Sequence, residues 1–183
     1  MSDAFKALDI PIIDTDIVAR EVLLNDTSLL AKLIDAFGAD IINENSHLDR
    51  TKLRNIAFLN NKNKERLDNI MHPAIRQATL EKIQHCEKQQ HSYCMIVVPL
   101  LIETGFIKLV DRVLVVTAPL ERKLQRLEKR SQLNATQANK IIEKQSTDEE
   151  KLALADDIIS NDSDIKSIQI KVAQLHQQYL TMS

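Results

Sequence analysis

Glycine is nearly missing from this chain. Gly38 and Gly105 are the two glycines in 183 residues, where average usage of about 7% would supply roughly thirteen. Two isolated glycines cannot write a Gly-rich phosphate loop: neither GxxxxGK[ST] nor GxGxxG occurs. Collagen-like and Gly/Ser linker sequence are excluded on the same ground. Cysteine is also scarce. Cys86 and Cys94 stand without a CxxC or a Cys/His cluster, which predicts two reduced thiols in a cytoplasmic protein. No strong charge of one sign is present: 24 Lys+Arg face 26 Asp+Glu, for a net −2. That balance argues against nucleic acid as a partner and confines any basic site to a local patch. Long apolar runs are absent. The longest, Met95 to Ile102, is far short of the about twenty residues that a membrane-crossing helix needs. The first residues, MSDAFKALDIPII, lack the basic start and apolar stretch of a signal peptide.

What is present is ordinary globular composition, 44% apolar and 27% charged, at a length that suits one domain with an insertion. Ile10–Ile13, Cys94–Val98 and Val113–Val116 read as strands, with a weaker fourth at Asp157–Ser160. None alternates apolar with polar, so both faces are expected to be covered, as in a parallel sheet. Helical patterns separate the runs, and the fold class is α/β, a parallel sheet flanked by helices.

The stretch between the first two strands is too long for one crossover and reads as an inserted helical subdomain. Leu29, Leu30, Leu33, Ile34 and Phe37 have helical spacing, with Asp26 or Thr27 as cap. Leu53, Ile56, Ala57 and Leu59 mark a second helix. Leu67 to Ala78 forms a third stripe interrupted at Pro73, where a kink or a new helix is expected because proline lacks the donor and biases His72 away from helix. Later, Pro119 suits the start of a helix, Asn134 a cap, and Ser146-Thr147-Asp148-Glu149 a capping box. Ile165, Ile168, Val172, Leu175 and Tyr179 make a final amphipathic helix that should lie on the sheet.

Several residues are candidates for chemistry. The first strand ends in Asp14-Thr15-Asp16, and open α/β sheets bind ligands at the carboxyl ends of their strands. An aspartate there suits a base on a substrate hydroxyl; equally, Asp before a helix is a standard cap, and Asp16 has Arg20 one turn away. Arg122, Arg126 and Arg130 recur every four residues beside Lys123 and Lys129, against Glu121 and Glu128. This is either a phosphate-binding face or a solvated one. His72 and Arg76 are an anion-contacting pair or a turn residue with a surface arginine. Glu103 follows the Val97-Val98-Pro99 strand end, where it caps, coordinates or does neither. His47, His85, His91 and His176 have no metal-ligand spacing.

Taken together, five segments resemble the dephospho-coenzyme A kinases, a P-loop family related to the nucleoside monophosphate kinases. Ile13 to Val22 resembles [IV]-D-x-D-x-[IV]-[AS]-R-x-[VL], and His72-Pro73-x-Ile75-Arg76 resembles H-P-x-[IV]-[RQ]. Val98-Pro99-Leu100-Leu101-Ile102-Glu103 resembles V-P-L-L-[FVI]-E. Gln125, Arg126 and Arg130 resemble the lid-helix Q-x-x-R-x-x-x-R, with the glutamine displaced to sit beside the first arginine. Gln145, Lys151, Ala155-Asp156 and Ile159-x-Asn161 resemble the tail Q-x-x-x-x-x-K…A-D-x-[IV]-[IL]-x-N. They occur in family order. The departure is at the front, where Ala4 to Leu8 resembles the end of the helix that follows the family's Walker A loop. On this comparison the chain lacks the central P-loop strand and the ATP phosphate cradle.

The resemblance implies ATP-dependent phosphorylation of the ribose 3′-hydroxyl of dephospho-coenzyme A. Asp16 would be the base and Arg126 and Arg130 would come from a lid. Asp14, Arg20, His72 and Arg76 would line the acceptor site, and Asn161 would contact adenine. It implies ATP and Mg²⁺, the latter normally bound through the P-loop Ser/Thr that this chain lacks. The implied organisation is a core from 1–14, 93–118 and 155–183, an acceptor-binding subdomain at 15–92, and a lid at 119–154. The competing readings are a non-catalytic module that binds coenzyme A precursors or a partner chain, and another nucleoside monophosphate kinase.

Overall fold

A computed structural model of the chain describes residues 1–122, 124–125, 147–162 and 164–182. In chain order its elements are α1 (Ser2–Lys6), β1 (Ile12–Asp14), α2 (Thr15–Asn25), α3 (Thr27–Phe37), α4 (Arg50–Ala57), α5 (Asn61–Lys88) and β2 (Met95–Val97). After these come β3 (Leu114–Thr117), α6 (Asp148–Ala153), β4 (Asp157–Ser160) and α7 (Ile165–Leu180). The strands form two two-stranded sheets among the described residues, β1 with β2 and β3 with β4. The chain divides into two compact units, Ile13–Val97 and the combination of Met1–Ile12 with Val98–Ser183.

In the unit Ile13–Val97 the helices start where short polar side chains can hold their first amides. Asp14, Asp26, Asp49 and Asn60 cap α2, α3, α4 and α5 respectively. Each such cap satisfies first-turn amides that have no partner within the helix. Asp26 is held below its ordinary 3.8, first by the Leu29 amide and then by the Ser28 hydroxyl. The stripes predicted from spacing close into one core of Leu29, Leu33, Ile41, Leu53 and Met71. Burial of each large side chain stabilises by about 1.5–3 kcal/mol. A second cluster, Ile13, Val18 and Cys86, lies nearer the strands, with Ile75, Ala78 and Ile96 against it. Gly38 ends α3 at φ +88°, a conformation that favours glycine.

Three expectations for the first half of the chain are corrected. Helix α5 runs without a break through His72 and Pro73 for 28 residues. Met71, Ala74 and Ile75 on either side pack into the cores, and this packing outweighs the missing donor of Pro73. Leu59 lies beyond α4 and is 75% exposed. The Ile10–Ile13 run is divided: Asp9 turns at φ +60° and the Ile10 amide donates to Phe5 O at 3.3 Å, so the strand begins at Ile12.

In the other unit β3 and β4 are parallel, with Leu114 opposite Asp157 and Thr117 opposite Ser160. Carboxylates fix this register. Asp156 Oδ2 accepts the Val113 amide at 2.8 Å. Asp157 Oδ2 accepts from Arg112 Nε at 3.1 Å and from the Tyr179 hydroxyl at 2.8 Å. The last bond ties α7 to β4, and α7 also packs on α1, where Phe5 is fully buried. Val172 and Tyr179 carry the stripe predicted for α7, while Ile165, at its first position, is 75% exposed. The capping box of α6 is displaced by one residue from expectation. It is Thr147 with Glu150, each side chain bonding the other's amide. No helix among the described residues is long and apolar enough to cross a membrane.

Candidate active site

The Asp14-Thr15-Asp16 segment stands where β1 passes directly into α2. Its three side chains have separate environments. Asp14 Oδ1 accepts from the amides of Asp16 at 2.9 Å and Ile17 at 3.4 Å, so this carboxylate satisfies the open end of α2. Thr15 is buried, and its hydroxyl donates to Val97 O at 3.1 Å. Asp16, in the first turn of α2, is exposed.

Arg20 lies one turn further along α2 and is exposed; its carbonyl accepts from Arg50 Nη2 at 3.4 Å. Glu21 pairs with Lys82 of α5 at 2.8 Å. Both partners are largely exposed, so the pair adds at most about 1 kcal/mol while holding the two helices in register. His72 and Arg76 are half-buried on α5, which packs on α2. His72 Nε2 is 3.8 Å from Asp68 Oδ1, one turn earlier. The mid-helix setting corrects the expectation that this imidazole marks a helix break.

Asp14, Asp16, Arg20, His72 and Arg76 therefore all belong to the unit Ile13–Val97. Asn161 belongs to the other. Its amide donates to Thr117 O at 2.7 Å, which places it at the carboxyl end of the β3–β4 pair. Arg126 and Arg130 lie outside the described residues, as do Lys123, Glu128, Lys129, Asn134 and Ser146. In the same unit as Asn161, a cleft of about 230 Å³ is walled by Val98, Pro99 and Ile102 on one side and by Leu114 and Val116 of β3 on another, with Glu103 and Lys151 also lining it. The Val98–Glu103 motif thus forms a cleft wall. His85 and His91 are exposed near the end of α5, as expected.

Sequence reasoning gave no weight to Thr15, Arg50 or the Glu21–Lys82 pair. Each acts through a residue far along the chain, and spacing carries no signal for that. The threonine set between the two aspartates was the one sign within reach.

The comparisons with known proteins agree with the motif order. The family profile described as "CoaE: Dephospho-CoA kinase" matches residues 1–167. The dephospho-CoA kinase of Shewanella oneidensis is 39% identical over 183 residues, which is 100% of this chain and 88% of that protein. That of Pasteurella multocida is 38% identical, over 98% of this chain and 87% of that protein. Among solved structures, dephospho-CoA kinase from Campylobacter jejuni superposes with a TM-score of 0.72 at 28% identity, covering 96% of this chain and 88% of that one. TT1252 from Thermus thermophilus superposes at 0.80 with 22% identity, covering 97% and 88%, and speaks for the fold alone. With a profile matched over nearly its whole length and relatives at this identity, the chain belongs to the dephospho-CoA kinase family.

Proposed function

We propose that the protein transfers the γ-phosphoryl group of ATP to the ribose 3′-hydroxyl of dephospho-CoA, with Asp16 as the base. One observation carries this reading. Asp14 commits its carboxylate to two amides of α2, and Asp16 is left exposed at the carboxyl end of β1. Two aspartates two residues apart then have two duties, one structural and one chemical. In the step itself the hydroxyl proton passes to the Asp16 carboxylate, the ribose oxygen bonds to the γ-phosphorus, and the bond to the β-phosphate oxygen breaks to release ADP.

In this reading Arg20, His72 and Arg76 serve the acceptor site directly, Asp14 serves it by holding the first turn of α2 in place, and residues 15–92 are the acceptor-binding subdomain. Arginine forks and a protonatable imidazole suit the phosphate oxygens of the acceptor. Arg126 and Arg130, in a lid at 119–154, stabilise charge on the group in transfer. Asn161 contacts the adenine of ATP. The remaining segments, 1–14, 93–118 and 155–183, form the core. The family also implies Mg²⁺, which neutralises phosphate charge when bound. The described residues do not supply a fit: no group of three or more His, Cys, Asp or Glu side chains is placed to hold a metal ion. No residue is assigned to it. The cytoplasm is the location in this proposal, which accords with two cysteine thiols.

Acceptor screening tests the substrate. Calorimetric titration of this chain with dephospho-CoA should show binding that Arg76→Ala weakens about tenfold, the usual worth of one charge-assisted contact. AMP and CMP should bind more weakly than dephospho-CoA. Equal binding of the three would favour a nucleoside monophosphate kinase, and no effect of Arg76→Ala would remove it from the acceptor site.

A further inference from the structure

We infer that Thr15 is the positioning residue for Asp16; this rests on the reading of Asp16 as the base. Thr15 is the first residue of α2. A hydroxyl at such a position ordinarily faces solvent or bonds the local backbone. Here it is buried and donates to the carbonyl of Val97, 82 positions away and the last residue of β2. The bond joins the first turn of α2 to the end of the strand beside β1.

Its consequence is geometric. Asp14 Oδ1 closes the first turn from one side through the Asp16 and Ile17 amides, and the Thr15 hydroxyl ties the same turn to β2. Further along, α2 is held by the Lys82–Glu21 pair and by Arg50 on the Arg20 carbonyl. With its first turn and its middle both held, rotation of α2 about its axis is restricted, and the exposed Asp16 carboxylate is presented in one direction. A base displaced by about 1 Å costs up to about 10²-fold in rate, so a single buried hydroxyl is enough to matter. Thr15 itself touches no reacting atom in this scheme. It acts through the backbone of its neighbour.

The experiment compares Thr15→Val, which keeps the shape and removes the donor, with Thr15→Ser, which keeps the donor. Two readouts are taken. In the 183-residue chain, amide exchange at Asp16 and Ile17 should speed at least about tenfold in Thr15→Val and return toward wild type in Thr15→Ser, while Thr79 of α5 stays unchanged. In a form extended at its amino end by a strand, a GxxxxGK[ST] loop and a helix, Thr15→Val should lower kcat about ten- to hundredfold. KM for dephospho-CoA should stay within about twofold, and Thr15→Ser should restore kcat. Unchanged exchange in Thr15→Val, unchanged kcat, or failure of Thr15→Ser to rescue either would overturn the inference. Asp16→Asn, measured alongside, separates the two claims. If it leaves kcat intact, the base assignment fails; if it abolishes kcat while Thr15→Val does not, only the positioning role fails.

Discussion

Asp14 and Asp16 are chemically identical side chains that the backbone assigns to different work. Because Asp14 accepts two amide hydrogen bonds at the start of α2, Asp14→Asn should act on stability. It keeps an acceptor at the cap but loses charge at a helix N-terminus, which costs roughly 0.5–1 kcal/mol. Thermal unfolding should fall by a few degrees with acceptor affinity nearly preserved; a large loss of turnover with normal stability would reassign this carboxylate to the chemistry. Tyr179 offers a second single-residue test. Its hydroxyl donates to Asp157 Oδ2, the atom that also takes Arg112 Nε. Tyr179→Phe should cost about 1.5 kcal/mol and lower Tm by about 3–6 °C. An unchanged Tm would show that the α7–β4 tie carries no stability. Residues such as Asp14 were legible in the sequence because a cap acts on its immediate neighbours. The hydrogen bonds of the Thr15 and Tyr179 hydroxyls were not, because their partners, Val97 and Asp157, are brought near by the fold.

At the scale of elements, periodicity was a sound guide wherever one face of a helix is buried. The α3 stripe closes on the core through Leu29 and Leu33, and the α7 stripe through Val172 and Tyr179. Reading failed where two local signals competed. Proline argued for a break at residue 73, but α5 continues because packing on both sides holds it. Pro73→Ala gives the Asn69 carbonyl a donor and should raise stability by about 2 kcal/mol; a loss of stability would mean that the proline is packed against something that alanine leaves empty. The capping box slipped by one residue because Ser146 and Thr147 are equally good caps and Glu149 and Glu150 equally good partners. Caps also set an acid response. Asp26 and Asp164 are held below 3.8, first by the amides of Leu29 and Ser167 respectively. Their values are lower folded than unfolded, so the unfolded chain takes up protons first as pH falls. Their contribution is complete above about pH 5 and disappears as pH falls through the folded values. Asp26→Asn should flatten the dependence of Tm on pH between about 5 and 3. Parallel curves for the two proteins would show that Asp26 has no part in it.

For the whole molecule, Val113–Val116 and Asp157–Ser160 do contribute a parallel pair, although Val116 and Ile158 are exposed and the expected cover on both faces is not met at these two residues; the order of motifs foretold the family. What spacing could not supply was that the two strands flanking the helical insertion belong to the same unit as its helices. The strands β1 and β2 group with the helices between them in the unit Ile13–Val97, because contacts made across sequence distance decide such grouping. The 183 residues contain no GxxxxGK[ST]. Phosphoryl transfer relies on positioning and on charge stabilisation around the phosphates, and losing one such donor costs about 3 kcal/mol. These residues by themselves should therefore bind dephospho-CoA yet form CoA far more slowly than the form extended by a strand, loop and helix. Equal rates from the two forms, measured as ATP-dependent CoA formation, would show that another element holds the triphosphate. The central claim is that Asp16 takes the proton from the ribose hydroxyl. Its most direct test is turnover of dephospho-CoA by the extended form carrying Asp16→Asn. The account predicts a fall in kcat of about 10²- to 10⁴-fold with dephospho-CoA affinity within about threefold, and near-normal kcat would contradict it.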